Sequence, residues 1–110
     1  MTGPVPAVSV ADLPAGATIL DVRENDEWTA GHAPDAQHLP MSELTGRLDE
    51  LPDADPIYVV CRSGGRSARV TAYLTQQGRS AVNVDGGMQA WQAQGRPLVG
   101  EQPGVAPDVV

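Results

Sequence analysis

The stretch PIYVVC, residues 56–61, constrains the fold of this chain more than any other. Ile57, Tyr58, Val59 and Val60 are β-branched or aromatic, Pro56 stands at the entrance, and no position offers a polar face. Such a run reads as a strand that must be covered on both sides. The rest of the chain supplies the means. VSV at 8–10, TILDV at 18–22, QHLP at 37–40 and AVNV at 81–84 read as further short strands. Helical stretches lie between them. A turn around Asp26 to Ala30 ends at Gly31, with Pro34 blocking continuation. Leu44, Leu48 and Leu51, spaced by four and three, predict an amphipathic helix within 41–51, capped by Ser42 and weakened by Gly46. Ser67 to Gln77 is helical in pattern with Gly78 as its stop, and Met88 to Gln94 forms a last helix. Strands separated by helices imply right-handed crossovers, hence an α/β fold with a mostly parallel sheet and helices on both faces.

A length of 110 residues suits one domain with a real core, expected over 1–96. From Pro97 onward the chain is rich in proline and glycine without periodicity, and 97–110 is expected as a loosely ordered C-terminal tail. Net charge is −7 and all seven basic residues are arginine, a poor basis for gripping nucleic acid. The apolar runs are too short to cross a bilayer and no secretory leader is visible, so neither a membrane nor export is expected and a cytoplasmic location is. One cysteine allows no internal disulfide and no cysteine-based zinc site. His32 and His38 have no companion at metal-ligand spacing, so no metal and no cofactor is expected, and neither histidine is expected to be catalytic.

In open parallel sheets, sites form at the carboxyl ends of strands, and Cys61 ends the most apolar strand. Only Arg62, Ser63, Gly64 and Gly65 separate it from a helix that begins near Arg66 or Ser67. So short a loop must curl, and its two glycines can take conformations barred to other residues. Successive N–H groups then point inward as an anion-binding nest, reinforced by the N-terminus of the following helix. A thiol at its centre ionises more readily, because the nest stabilises the thiolate. Arg62 and Arg66 place a cationic spot on an acidic protein, which points to a small anion as the visitor. The alternative is an inert buried cysteine, against which the glycine pair and the arginines weigh.

At these residues the sequence resembles the single-domain rhodaneses. The residues that carry the resemblance are Asp21, Arg23, Glu27, Trp28, Gly31 and His32, then Cys61, Gly64 and Arg66, then Gly86, Gly87, Ala90 and Trp91, in order through most of the chain. The resemblance implies a rhodanese-like three-layer α/β/α fold with five parallel strands in the order 1-5-4-2-3. It also implies a sulfurtransferase, in which the Cys61 thiolate takes the outer sulfur of thiosulfate or a similar anionic donor. The resulting persulfide passes its sulfur to cyanide, a small thiol or a protein thiol. The N–H groups of residues 62–66 (Arg62, Ser63, Gly64, Gly65, Arg66) are expected to hold the persulfide, and Arg62 and Arg66 to orient the donor. Asp21 and Arg23 are expected in support, Asp21 accepting from the loop or from Arg66, and Arg23 pairing with Glu27. Trp28 and Trp91 are expected to pack rather than to bind. A phosphatase or arsenate reductase would need a longer loop, Cys-x5-Arg, whereas here Arg66 follows after four residues and residue 67 is serine. A persulfide carrier, sharing the chemistry but serving one protein partner, or a non-catalytic partner-binding rhodanese module, is the remaining alternative.

Overall fold

The computed structural model describes residues 5–110; residues 1–4, counted in the expected domain, lie outside the described residues. Five strands form one sheet: β1 (Ala7–Ser9), β2 (Ile19–Asp21), β3 (Gln37–His38), β4 (Ile57–Val60) and β5 (Ala81–Asp85). Three α-helices connect or follow them: α1 (Asn25–Ala30), α2 (Gly65–Gln76) and α3 (Gly87–Ala93). The strand order is β1-β5-β4-β2-β3 and every pairing is parallel, as the resemblance implies. The central strand β4 sets the register: Val59 lies beside Leu20 of β2 and beside Asn83 of β5.

The absence of a polar face in β4 follows from what covers it. Ile57, Val59 and Cys61 point into a core shared with Leu20, Val22, Val70 and Leu74, on the side of α2. Tyr58 and Val60 point into the opposite core, with Ile19, Val84, Met88 and Trp91, on the side of α3. Alternate side chains of one strand thus feed two separate cores, and the sheet is the layer between them.

Residues 41–51 depart from expectation. They form no α-helix but two 3-10 turns, Leu44–Gly46 and Leu48–Glu50, separated by Arg47 at φ −132°, ψ 32°. The three leucines still face inward, Leu44 at 2% exposure, because a pair of tight turns can meet the same core. Gly46 gives little support to a continuous helix, and Arg47 is held in the break by Glu43 (2.7 Å) on one side and Glu50 (2.7 and 2.8 Å) on the other. Ser42 caps nothing here. Its hydroxyl donates instead to Glu24 Oε1 at 2.7 Å, tying this crossover to the start of α1.

The segment after Pro97 contributes one isolated antiparallel bridge, in which Val99 and His32 exchange N–H···O bonds of 2.8 and 2.9 Å. Further along, Glu101 N donates to Thr29 O (3.0 Å) and Asp108 N to Ala30 O (2.9 Å). A side chain at Gly31 would run into the Asp108 backbone, so this glycine gives the segment room to lie against the end of α1. Trp91 anchors its start by donating Nε1–H to Pro97 O at 2.8 Å. Among the described residues no helix is long and apolar enough to cross a membrane.

Candidate active site

The site is built where β4 ends. Gly64 is the residue that turns the chain, with φ at 114°, and α2 starts immediately after it at Gly65, one or two residues earlier than the sequence pattern suggests. Gly65 is already helical and has open space where a Cβ would be, so only one of the two loop glycines is needed for its conformation.

Cys61 is 1% exposed. Its sulfur accepts from the Gly64 N–H at 3.1 Å and lies 3.2 Å from the Ser67 hydroxyl. Burial pushes the thiol up. The Ser67 hydroxyl and the N–H groups of Ser67, Gly64 and Ser63 more than offset that, leaving it below its ordinary value of about 9. The donors that act on the thiol sulfur are those of residues 63, 64 and 67, and the Ser67 pair is one that the sequence reading did not include. Residue 67 lies inside the first turn of α2, where both a backbone N–H and a side chain can turn back to the strand end.

Ser67 is completely buried and is itself held. Its hydroxyl lies 2.5 Å from Asn83 Oδ1, while Asn83 Nδ2 donates to Gly64 O and to Asp85 Oδ1, each at 3.3 Å. Asn83 thus braces the loop from the neighbouring strand. The sequence carried a signal for it, a lone amide inside the apolar strand AVNV, and a signal for Ser67, a hydroxyl one residue beyond the loop. The loop is braced from below as well. At the entry to α3, Met88 N donates to Cys61 O (2.8 Å) and Gln89 N to Arg62 O (2.9 Å). This close approach requires Gly87, at φ 55°, because a Cβ there would fall 2.7 Å from Arg62 O and closer still to Cys61 O.

The expected partners of Asp21 and Arg23 are exchanged. Asp21 accepts from neither the loop nor Arg66; both its oxygens take Arg23, at 3.0 and 3.1 Å from Nε and 2.7 Å from Nη2. Both residues are fully buried. Arg23 does not pair with the Glu27 carboxylate but donates to the carbonyls of Gly31 (2.8 Å) and Glu27 (3.3 Å). Two residues apart and both at the end of β2, Asp21 and Arg23 satisfy each other without leaving the protein interior, and the spare guanidinium N–H groups fasten the end of α1.

Glu27 is left for Arg66. The pair is bidentate, at 2.7 and 2.8 Å, with the carboxylate further fixed by the Glu24 N–H at 3.0 Å. The Arg66 guanidinium holds Glu27 below the usual carboxylate range against the opposing effect of burial. Glu27 in turn raises Arg66, and the Cys61 sulfur adds to that rise. Arg66 is therefore near enough to feel the thiolate yet occupied by a carboxylate. Arg62 is exposed and donates Nε–H to Val110 O at 3.1 Å. With the Gln89 amide turned so that its oxygen faces the guanidinium, both Arg62 Nη atoms also lie 3.2 Å from that oxygen.

The histidines stand apart from the sulfur. His32 stacks on Trp28 (3.5 Å, 3°) with Nε2 2.7 Å from Glu101 Oε2, and His38 stacks on the same indole (4.6 Å) while its Nε2–H donates to Arg23 O. Trp91 is 8% exposed and packs in the α3-side core. Among the described residues no group of three His, Cys, Asp or Glu side chains could hold a metal ion.

A five-stranded parallel sheet in this order, with a cysteine and a glycine turn between the end of its central strand and the next helix, defines the fold class of the protein. The chain belongs to the rhodanese-like domain family, whose model it matches over residues 8–94. It is 44% identical over 80 residues to a Bacillus subtilis protein named as a candidate sulfurtransferase, YtwF, covering 72% of this chain and 77% of that one. It is 42% identical over 82 residues to a sulfurtransferase of Allochromatium vinosum, covering 74% and 77%. Among solved structures, a rhodanese-related protein from Thermoplasma volcanium superposes with a TM-score of 0.79 at 35% identity, over 86% of this chain and 97% of that one.

Proposed function

We propose that the protein is a sulfurtransferase that carries sulfane sulfur on Cys61, taking it from thiosulfate or a similar anionic donor and giving it to a thiophilic acceptor such as cyanide, a small thiol or a protein thiol. The observation that carries the reading is the Gly64 N–H at 3.1 Å from a sulfur whose thiolate is favoured by its surroundings. In the first step the Cys61 thiolate attacks the outer sulfur of thiosulfate. A Cys61 S–S bond forms, the donor's S–S bond breaks, and sulfite leaves with the bonding pair. The persulfide keeps one negative charge, which the loop's N–H donors are suited to hold. In the second step cyanide attacks the terminal sulfur, thiocyanate leaves, and the thiolate returns. Because Cys61 is almost wholly covered, a donor must present a narrow end, and the outer sulfur of thiosulfate is one. Arg62, exposed and held through Nε by Val110 O, is the loop cation placed to draw such a donor.

A carrier role shares these steps and differs only in what supplies and removes the sulfur. Two facts favour keeping it. With one cysteine the sulfur must leave to an external acceptor. A sulfur carrier protein by name, YrkF of Bacillus subtilis, is 38% identical over 81 residues, with 44% of its length covered. The test is intact mass after incubation with thiosulfate, followed by cyanide. The wild type should gain one sulfur atom that cyanide removes as thiocyanate, and Cys61→Ser should gain none while unfolding at nearly the same temperature. No added sulfur on the wild type would sink thiosulfate as the donor. Loading from a protein persulfide alone would establish the carrier.

A further inference from the structure

Two cations in the sequence of the loop suggest a site made for a dianion, but the folded protein offers them unequally. Arg66 gives both terminal nitrogens to Glu27, at 2.7 and 2.8 Å. The carboxylate is not free to swing away, since the Glu24 N–H holds the same Oε1 at 3.0 Å and the Glu27 side chain is only 14% exposed. Glu27 rides on α1, whose end is fastened to the sheet by the buried Asp21–Arg23 pair. The lock on Arg66 is thus built into the scaffold, and it neutralises one of the loop's two guanidinium groups.

We infer that Glu27 sets the charge of the sulfur donor: by holding Arg66 it withdraws one of the loop's two cations, so that the site as folded favours donors of low charge, such as organic persulfides or thiosulfonates, over a dianion. A dianion gains twice as much as a monoanion from each added positive charge, so the position of the Glu27–Arg66 balance acts on the ratio between the two. The donor assay rests on the sulfur-transfer reading above; the charge assignment itself does not.

The decisive variant is Glu27→Gln, which keeps an acceptor for the Glu24 N–H while removing the charge that holds Arg66. With thiosulfate and methanethiosulfonate as donors of charge two and one, kcat/KM for thiosulfate relative to methanethiosulfonate should rise on the order of tenfold, chiefly through KM. The double variant Glu27→Gln with Arg66→Gln restores a neutral pair, and the ratio should return to the wild-type value. An unchanged ratio in the single variant, or a raised ratio that survives in the double, overturns the proposal. A second arm needs no sulfur transfer: alkylation of Cys61 by iodoacetate relative to iodoacetamide should also rise in Glu27→Gln and fall back in the double. If the alkylation ratio behaves so while no donor loads any variant, Glu27 governs the charge at the sulfur and the sulfur-transfer reading is the one that fails. If the alkylation ratio is flat, the Glu27 assignment fails whatever the donors do.

Discussion

The two central strands β2 and β4 lie side by side, with Asp21 paired in register to Val60, and each ends on a chemically loaded residue. At the end of β2, Asp21 has every oxygen met by Arg23, and Arg23 has its remaining N–H groups on carbonyls. Charge meets charge, no solvent reaches either residue, and the arrangement has nothing left to offer a ligand. At the end of β4 the sulfur is met by the Gly64 N–H and one hydroxyl, and by no counter-charge in hydrogen-bond contact. Dipoles of this kind stabilise whichever anion is presented, thiolate or persulfide, and need no rearrangement when one becomes the other. An ion pair makes a strut, whereas a nest of N–H donors makes a reusable site.

The contrast breaks most sharply at Arg23. Arg23→Met leaves Asp21 buried without a partner and should destabilise the fold by about 3–5 kcal/mol. Thermal or urea unfolding measures this, and a variant as stable as wild type would show that the pair is not a strut. The loop's support can be tested with two neighbouring small residues. Gly87→Ala drives a Cβ into the Cys61 and Arg62 carbonyls and should cost about 2–3 kcal/mol. The same variant should also slow alkylation of Cys61, because the loop is displaced. Ser67→Ala removes the hydroxyl beside the sulfur without touching the N–H groups. The thiol should then ionise at higher pH, and the acidic limb of kcat/KM should move up the pH scale. At neutral pH the rate should fall on the order of tenfold, recovering in alkali once both proteins are fully thiolate. A pH profile superimposable on wild type would remove Ser67 from the site. The smallest effect belongs to Gly65→Ala, which enters open space on a helical residue. It should leave sulfur loading within about twofold and stabilise α2 by about 0.5–1 kcal/mol.

Much of this comparison is legible before folding, and its limits follow a physical line. The apolar runs locate all five strands to within a residue or two, because burial on both faces leaves no other way to place PIYVVC. The loop is legible because Cys61, Gly64 and the helix start are near neighbours in sequence, so its geometry is local. Residues 41–51 are less so: leucines at spacings of four and three satisfy an α-helix and a pair of 3-10 turns alike, and Gly46 with Arg47 decides between them. The carboxylate partners are the reverse of those expected, since Arg23 can reach both Asp21 and the end of α1, and only the seating of α1 gives Glu27 to Arg66. The contacts of Val99, Glu101 and Asp108 with α1 and His32 carry no periodic signal at all, being isolated backbone hydrogen bonds across 67 to 78 positions.

The sequence by itself determined that a thiol ends a buried parallel strand and is followed by a turn only glycine makes easily. Strand burial and left-handed backbone geometry are properties of short stretches, so that much could be read from residues 56–67. Only the tertiary structure decided which groups face the sulfur and which loop cation is locked to a part-buried carboxylate. Ser67 is held by Asn83 from β5, Cys61 and Arg62 are braced by the entry to α3, and Arg66 is bound by Glu27 from α1. Each of these partners lies 16 to 39 residues away or arrives with another element. Their meeting depends on strand order and register, which set distances to within an ångström where the sequence sets only possibilities.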